Sequence, residues 1–211
     1  MHSTLLHGML EATPRIIPSS VAPQIGQWQR EDVVMAHDIM FEVTRAEDLS
    51  TAQRAEIISL CAAAYKEDFD HLFASLPGST HVRAYLGGTL VSHAAWVTRW
   101  LQPEGYAVLR AAYVEAVATA PDYQGRGFAS AVMREVGAQI ENYDIGALSP
   151  SDATFYERFG WEVWRGPLAI RTERGLVPTP DEEVMILRLA GTPPLDVRGR
   201  LTAEWRDGEV W

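Results

Sequence analysis

The stretch best equipped for chemistry is Gln124-Gly125-Arg126-Gly127-Phe128-Ala129. It follows an apolar, partly β-branched run, Tyr113 to Ala118, that reads as a short strand. Pro121 and Asp122 stop that strand. Beyond the loop, Ala129, Val132, Met133, Val136 and Ile140 recur at three- and four-residue steps, the spacing of one buried helix face. A strand, a glycine-bearing turn and a helix N-terminus together make an anion site. The first N–H groups of a helix lack carbonyl partners, and its dipole is positive there. Gly125, Gly127 and Ala129 are small enough to let a pyrophosphate approach the main chain. Arg126 either adds a charged contact or is a solvated surface side chain. Neither G-x-x-x-x-G-K-[ST] nor G-x-G-x-x-G with a later acidic residue is present, which sets aside P-loop and Rossmann sites.

Other reactive side chains are few. Cys61 is the sole cysteine, so no intrachain disulfide can form, and a reducing, cytoplasmic setting is expected. Its place in Ile57 to Ala62, an apolar helical pattern, predicts a buried, inert thiol. The six histidines form no H-x-x-x-H pair, and no metal site is expected.

Composition narrows the class. A chain of 211 residues can bury a real core, and 47% apolar with 22% charged residues is ordinary for a soluble globular domain. A net charge of -10 argues against nucleic acid as partner and is compatible with a cationic substrate. No apolar run approaches the roughly 18 to 20 residues of a membrane span. No Lys/Arg-led apolar leader stands at the N-terminus, so no secretory signal is expected.

These residues must be positioned by a mixed fold. Residues 1–40, broken by Pro14, Pro18 and Pro23, read as an irregular extension of unassigned role with at most a short helix near Arg30 to Ala36. The domain, 41–211, opens with a strand from Met40 to Thr44. Ser50 with Gln53 predicts a capping box before a helix carrying Ile57, Leu60, Cys61, Ala64 and Tyr65. A short helix is expected over Asp68 to Leu76. His81 to Leu86 and Thr89 to Trp100 read as a hairpin about Gly87-Gly88. A strand from Tyr106 to Ala118 and the long helix follow. Then come strand Ile145 to Ser149, helix Asp152 to Phe159, and strands Trp161 to Trp164 and Val184 to Leu187.

The loop pattern Q-x-x-G-x-A and this element order resemble the GNAT superfamily of N-acetyltransferases. The resemblance implies an α/β (α+β) GNAT fold, with a mixed central sheet of about six to seven strands and about four flanking helices. Further stretches resemble the aminoglycoside 2'-N-acetyltransferase family. They are Tyr113-Val114-Glu115, Gly146-Ala147-Leu148-Ser149, Tyr156-Glu157-Arg158-Phe159-Gly160-Trp161, Thr179-Pro180-Asp181 and the ending Trp205-Arg206-Asp207-Gly208-Glu209-Val210-Trp211. The likeness runs from Phe41 to the last residue and leaves residues 1–40 without a counterpart.

The resemblance implies roles. Val117, Ala118 and Thr119 would bond the pantetheine arm of acetyl-CoA, and Gln124 to Ala129 would cradle its pyrophosphate. Tyr156 would protonate the departing thiolate, and Glu115 would take the amine proton through water. Asp68, Ser149, Glu182 (or its neighbour Glu183), Glu209 and the α-carboxylate of Trp211 would hold a polycationic sugar. The residues depart from the family pattern at Ala116, where Gly is usual, at Phe73, and at Glu182 and Glu209, which replace shorter aspartates. The altered pocket suggests an atypical aminoglycoside such as kasugamycin. Transfer to another small amine or a peptide amine stays open, as do an acyl-CoA-binding protein without catalysis and a homodimer.

Overall fold

The computed structural model describes residues 39–208 and 210–211. The expected extension over 1–40, including a helix near Arg30, lies almost wholly outside the described residues.

Strand β1 (Ile39–Arg45) pairs antiparallel with β2 (Thr80–Leu86). Between them lie helices α1 (Thr51–Tyr65) and α2 (Leu72–Ser75). The capping box at α1 is formed in both directions: Ser50 Oγ accepts from Gln53 N and Gln53 Oε1 from Ser50 N. Helix α2 is shorter than expected, because Asp68 and Asp70 build a turn ahead of it. Strand β2 turns into β3 (Thr89–Pro103) through Gly87 and Gly88, both at positive φ, as a tight hairpin demands.

Strand β3 is the spine of the sheet. Its first part pairs with β2, its length with β4 (Leu109–Thr119), and its last residues with β10 (Leu201–Glu204). After β4 come α3 (Phe128–Gln139), β5 (Ile145–Leu148), α4 (Ala153–Glu157) and β6 (Trp161–Val163). Strands β7 (Leu168–Thr172), β8 (Gly175–Pro178) and β9 (Met185–Arg188) precede β10. The sheet therefore has ten strands, ordered β6-β9-β5-β4-β3-β10-β7-β8 with β2 and β1 branching from β3, where six to seven were expected. The unforeseen β7, β8 and β10 are short and interrupted by Pro, Gly and charged residues, which erases the alternation a sequence can display.

Alternation along β4 divides the core. Ala111 and Tyr113 face α1 and pack with Ile57, Leu60 and Cys61. Ala112 and Val114 face α3 and pack with Val132, Met133 and Val136. Both faces of the central strands are thus covered, and both need apolar side chains.

Candidate active site

Strands β4 and β5 run parallel and pair only from Ala111 to Tyr113 against Ile145 to Ala147. β5 ends at Leu148, while β4 continues to Thr119. From Val114 onwards β4 therefore runs without β5 beside it, and a wedge opens between the two strands. Within the same stretch β4 carries a bulge. Glu115 opposes Ala95 and Ala118 opposes His93, so two residues, Ala116 and Val117, stand against Ala94 alone. Ala116 takes φ 52°, a conformation that favours glycine.

Glu115 points to the α1 face, into a cavity of about 320 Å³ walled by Tyr65, Phe69, Leu76, Arg99 and Arg206. Arg99 Nη2 donates to its carboxylate. The same guanidinium lies 3.8 Å from the Tyr113 ring centroid, and its Nη1 donates to the Val210 carbonyl at 2.7 Å. One side chain thereby joins β3, β4 and the C-terminal segment. Arg206 closes the rim by donating to the Ser75 carbonyl.

Tyr156 sits at the other face of the sheet. It is buried in the α3 cluster, edge-on to Phe155 and Trp161. Burial, and then the Asp152 charge, raise its phenol above the ordinary value, so the group stays a proton donor. Tyr65, on the α1 side, lines the same cavity and stacks on Phe69, and burial first, with the Glu115 charge among the further causes, raises its phenol above the ordinary value.

The loop after β4 fits an anion. Gly125 and Gly127 stand at φ 73° and 85°, and Gly127 is the N-cap of α3. Ser50 and Asp152 cap α1 and α4 with side-chain oxygens, whereas no side chain caps α3. The leading N–H groups of this twelve-residue helix are left for a ligand. A Cβ on either glycine would meet nothing within 4 Å, which is the space a pyrophosphate would use. Gln124 is exposed, and its Nε2 donates to the Thr119 carbonyl at 3.1 Å. Phe128 is buried against Tyr123, so only its main chain faces the loop. The Arg126 guanidinium lies 5.5 Å over the Tyr123 ring, and Ala129 is half-buried.

The remaining expected residues scatter more widely. Trp211 is buried in the α1-side core, with Nε1 donating to Thr179 Oγ1 at 2.8 Å. Glu182 is exposed one turn from Thr179, whose carbonyl accepts its N–H at 3.4 Å, and its charge reaches Tyr113. Glu183 is exposed beside it. Asp68 is exposed, its Oδ1 accepting from Asp70 N at 2.8 Å, next to the cavity-lining Phe69. Ser149 is exposed directly after β5 and caps no helix, since Asp152 caps α4. Glu209 lies outside the described residues. Cys61 is fully buried, and burial pushes its thiol up to about 12, so the thiolate a nucleophile needs is absent at neutral pH.

Arg99, Tyr65 and Arg206 were not foreseen as site residues. Arg99 did leave a signal, a lone cation inside the apolar run Trp96 to Leu101. Tyr65 left none, because an aromatic on an apolar helix face reads as core.

Residues 45–164 match the model of the acetyltransferase (GNAT) domain. A curated aminoglycoside 2'-N-acetyltransferase of Mycolicibacterium fortuitum is 37% identical over 172 residues, spanning 78% of this chain and 88% of that protein. Among solved structures, a GNAT family N-acetyltransferase from Escherichia coli in complex with CoA superposes with a TM-score of 0.56 at 16% identity, over 79% of this chain and 89% of that one. A GNAT family acetyltransferase from Brucella melitensis in complex with acetyl-CoA gives 0.52 at 19% identity, over 77% and 94%. These two likenesses establish the shared fold.

Proposed function

Because the chain belongs to the GNAT acetyltransferase family, we propose that it transfers the acetyl group of acetyl-CoA to the 2'-amino group of an aminoglycoside, by direct transfer in a ternary complex. The observation that carries the reading is the wedge between β4 and β5, with Glu115 on one face and Tyr156 on the other. The sugar class rests on the likeness to the Mycolicibacterium fortuitum enzyme. Such acetylation would confer antibiotic resistance.

When bound, acetyl-CoA supplies an activated thioester. The protein's part is placement and proton handling. The uncapped N-terminus of α3 and the loop Gln124 to Ala129 hold the pyrophosphate, and the main chain of Val117, Ala118 and Thr119 lies along the wedge for the pantetheine arm. An aminoglycoside amine is mostly protonated at neutral pH and must lose a proton before it can attack. Glu115, held by Arg99, takes this proton through an intervening water, so that the proton ends on its carboxylate. Tyr156 keeps its own proton because it is buried, and gives it to sulfur as negative charge develops there. Cys61 takes no part. Asp68, beside the cavity-lining Phe69, would add negative charge for the sugar, and the family resemblance offers Ser149, Glu182, Glu209 and the α-carboxylate of Trp211 as further contacts. The departures from the family pattern at Ala116, Phe73, Glu182 and Glu209 alter the sugar pocket, and an atypical aminoglycoside such as kasugamycin is the candidate substrate.

A panel of kasugamycin, gentamicin and simple polyamines, followed by thiol release, tests this reading. Turnover is expected with an aminoglycoside and not with the polyamines. Turnover confined to polyamines would replace the sugar by another amine, and CoA binding without any turnover would make the chain a binder.

A further inference from the structure

Three consecutive carbonyls at the β4 bulge are each held by a side chain from elsewhere. His93 Nδ1 lies 2.9 Å from the Ala116 oxygen. The Tyr65 hydroxyl donates to the Val117 oxygen at 2.8 Å. Ser92 Oγ donates to the Ala118 oxygen at 2.9 Å. β5 has already ended here, so the bulge has no strand neighbour on that edge, while on the other edge β3 still pairs with Ala118 and Thr119. The side chains come from α1, which packs on the sheet face, and from β3, the strand paired with β4.

The His93 contact has a fixed direction. A carbonyl only accepts, so the hydrogen is on Nδ1. Nε2 is then an acceptor, and it takes a hydrogen from His81 Nδ1 at 2.9 Å. His81 Nε2 in turn accepts from Ser79 Oγ at 2.8 Å. The donors run in a single order, from Ser79 through His81 and His93 to the Ala116 carbonyl. Cys61 Sγ is 3.8 Å from the same Nδ1 and is the weaker acceptor. Ser79, His81, His93 and Ser92 are fully buried. A chain of this kind needs both imidazoles neutral, and burial lowers His81 to about 4 and His93 to about 3.

Such a grip matters because the bulge is strained. Ala116 at φ 52° has a Cβ where glycine would have none. Relaxing the bulge into a regular strand would slip the register by one residue and turn every later side chain to the opposite face. Glu115 and the main chain of Val117 to Thr119 would then no longer stand in their present relation.

We infer that Tyr65, His93 and Ser92 are positioning residues, which clamp the Ala116–Ala118 main chain in its bulged form and so hold the open edge of β4 in place for the pantetheine arm. The inference rests on the acetyl-CoA reading above. None of the three is a catalytic residue, and they act through the backbone.

The test uses CoA as probe, with affinity read by calorimetry at a temperature where each variant is folded. Tyr65→Phe keeps the ring that stacks on Phe69 and removes only the hydroxyl. His93→Gln reaches the Nε2 position but leaves nothing at Nδ1, whereas His93→Asn restores an N–H at the Nδ1 position. Tyr65→Phe and His93→Gln are expected to weaken CoA about 5- to 10-fold, the scale of one lost hydrogen bond, and His93→Asn to recover most of that loss. A merely structural role would lower the melting temperature and leave the dissociation constant alone. Unchanged CoA affinity in Tyr65→Phe and His93→Gln, with the parent binding normally, overturns the inference while the acetyl-CoA reading stands. A parent that does not bind CoA removes both. Should the His93 variants fail to fold, Tyr65→Phe decides alone.

Discussion

Arg99 and Glu115 form an ion pair in which both side chains are withdrawn from water, at 6% and 25% exposure. In every other ion pair among the described residues at least one partner is 40% exposed or more. Pairs with both partners exposed contribute little, whereas breaking a shielded pair strands a charge. The pair also reaches the C-terminal segment, because Arg99 holds the Val210 carbonyl.

Arg99→Gln is therefore expected to destabilise the fold by about 2 to 3 kcal/mol and to lower turnover. Denaturant unfolding of Arg99→Gln, Glu115→Gln and the double variant reads the coupling. Additive losses would mean that the two side chains act independently.

Tyr156→Phe is expected to lower turnover on the order of 100-fold, the scale of an acid–base group, with little change in CoA affinity. The hydroxyl contributes only as charge develops on sulfur. Since burial raises the phenol, the alkaline limb of the rate profile should not fall at the ordinary tyrosine value. A variant with parental single-turnover rates would return Tyr156 to the core.

Gly127→Val should abolish the rise in melting temperature that CoA produces. The glycine stands at φ 85°, where a β-branched residue is strained by about 1 to 2 kcal/mol, and the new side chain would fill the space left for phosphate. Ligand stabilisation follows binding to the folded state alone. An undiminished shift would place the pyrophosphate elsewhere.

Stability should fall between pH 7 and pH 5. His81 and His93 titrate near 6.5 when unfolded but near 4 and 3 when folded. In that window the unfolded chain binds protons that the folded chain does not, so stability rises with pH and is fully present above about 6.5. The loss by pH 5 is on the order of 2 kcal/mol for each histidine. Phe73, Arg83 and Arg54 face the pair, and the two cations reinforce the neutral form. Urea unfolding at the two pH values checks it, and equal midpoints would contradict it.

Local signals carried most of the fold. The Ser50–Gln53 capping box, the Gly87-Gly88 hairpin and the α3 stripe are short-range patterns, and each stands where its residues indicate. The strand additions β7, β8 and β10 are held by long-range pairing with β3 and with one another, which four or five polar-interrupted residues do not advertise. At the site, the loop Gln124 to Ala129 was legible because glycine spacing is a backbone signal. Tyr65 and the His81–His93 chain were not, and Arg99 showed only as a lone cation in an apolar run, because each acts on a main-chain atom or a carboxylate brought close only by the sheet. Glu115 read as a lone carboxylate for the same reason.

The central claim is acetyl transfer to the 2'-nitrogen of an aminoglycoside. It is tested most directly by incubating the protein with acetyl-CoA and kasugamycin or gentamicin, then locating the acetyl group by two-dimensional NMR. The predicted result is one acetyl group per sugar, on the 2'-nitrogen, formed in step with thiol release. Acetyl on another nitrogen, or thiol release without an acetylated sugar, would contradict it.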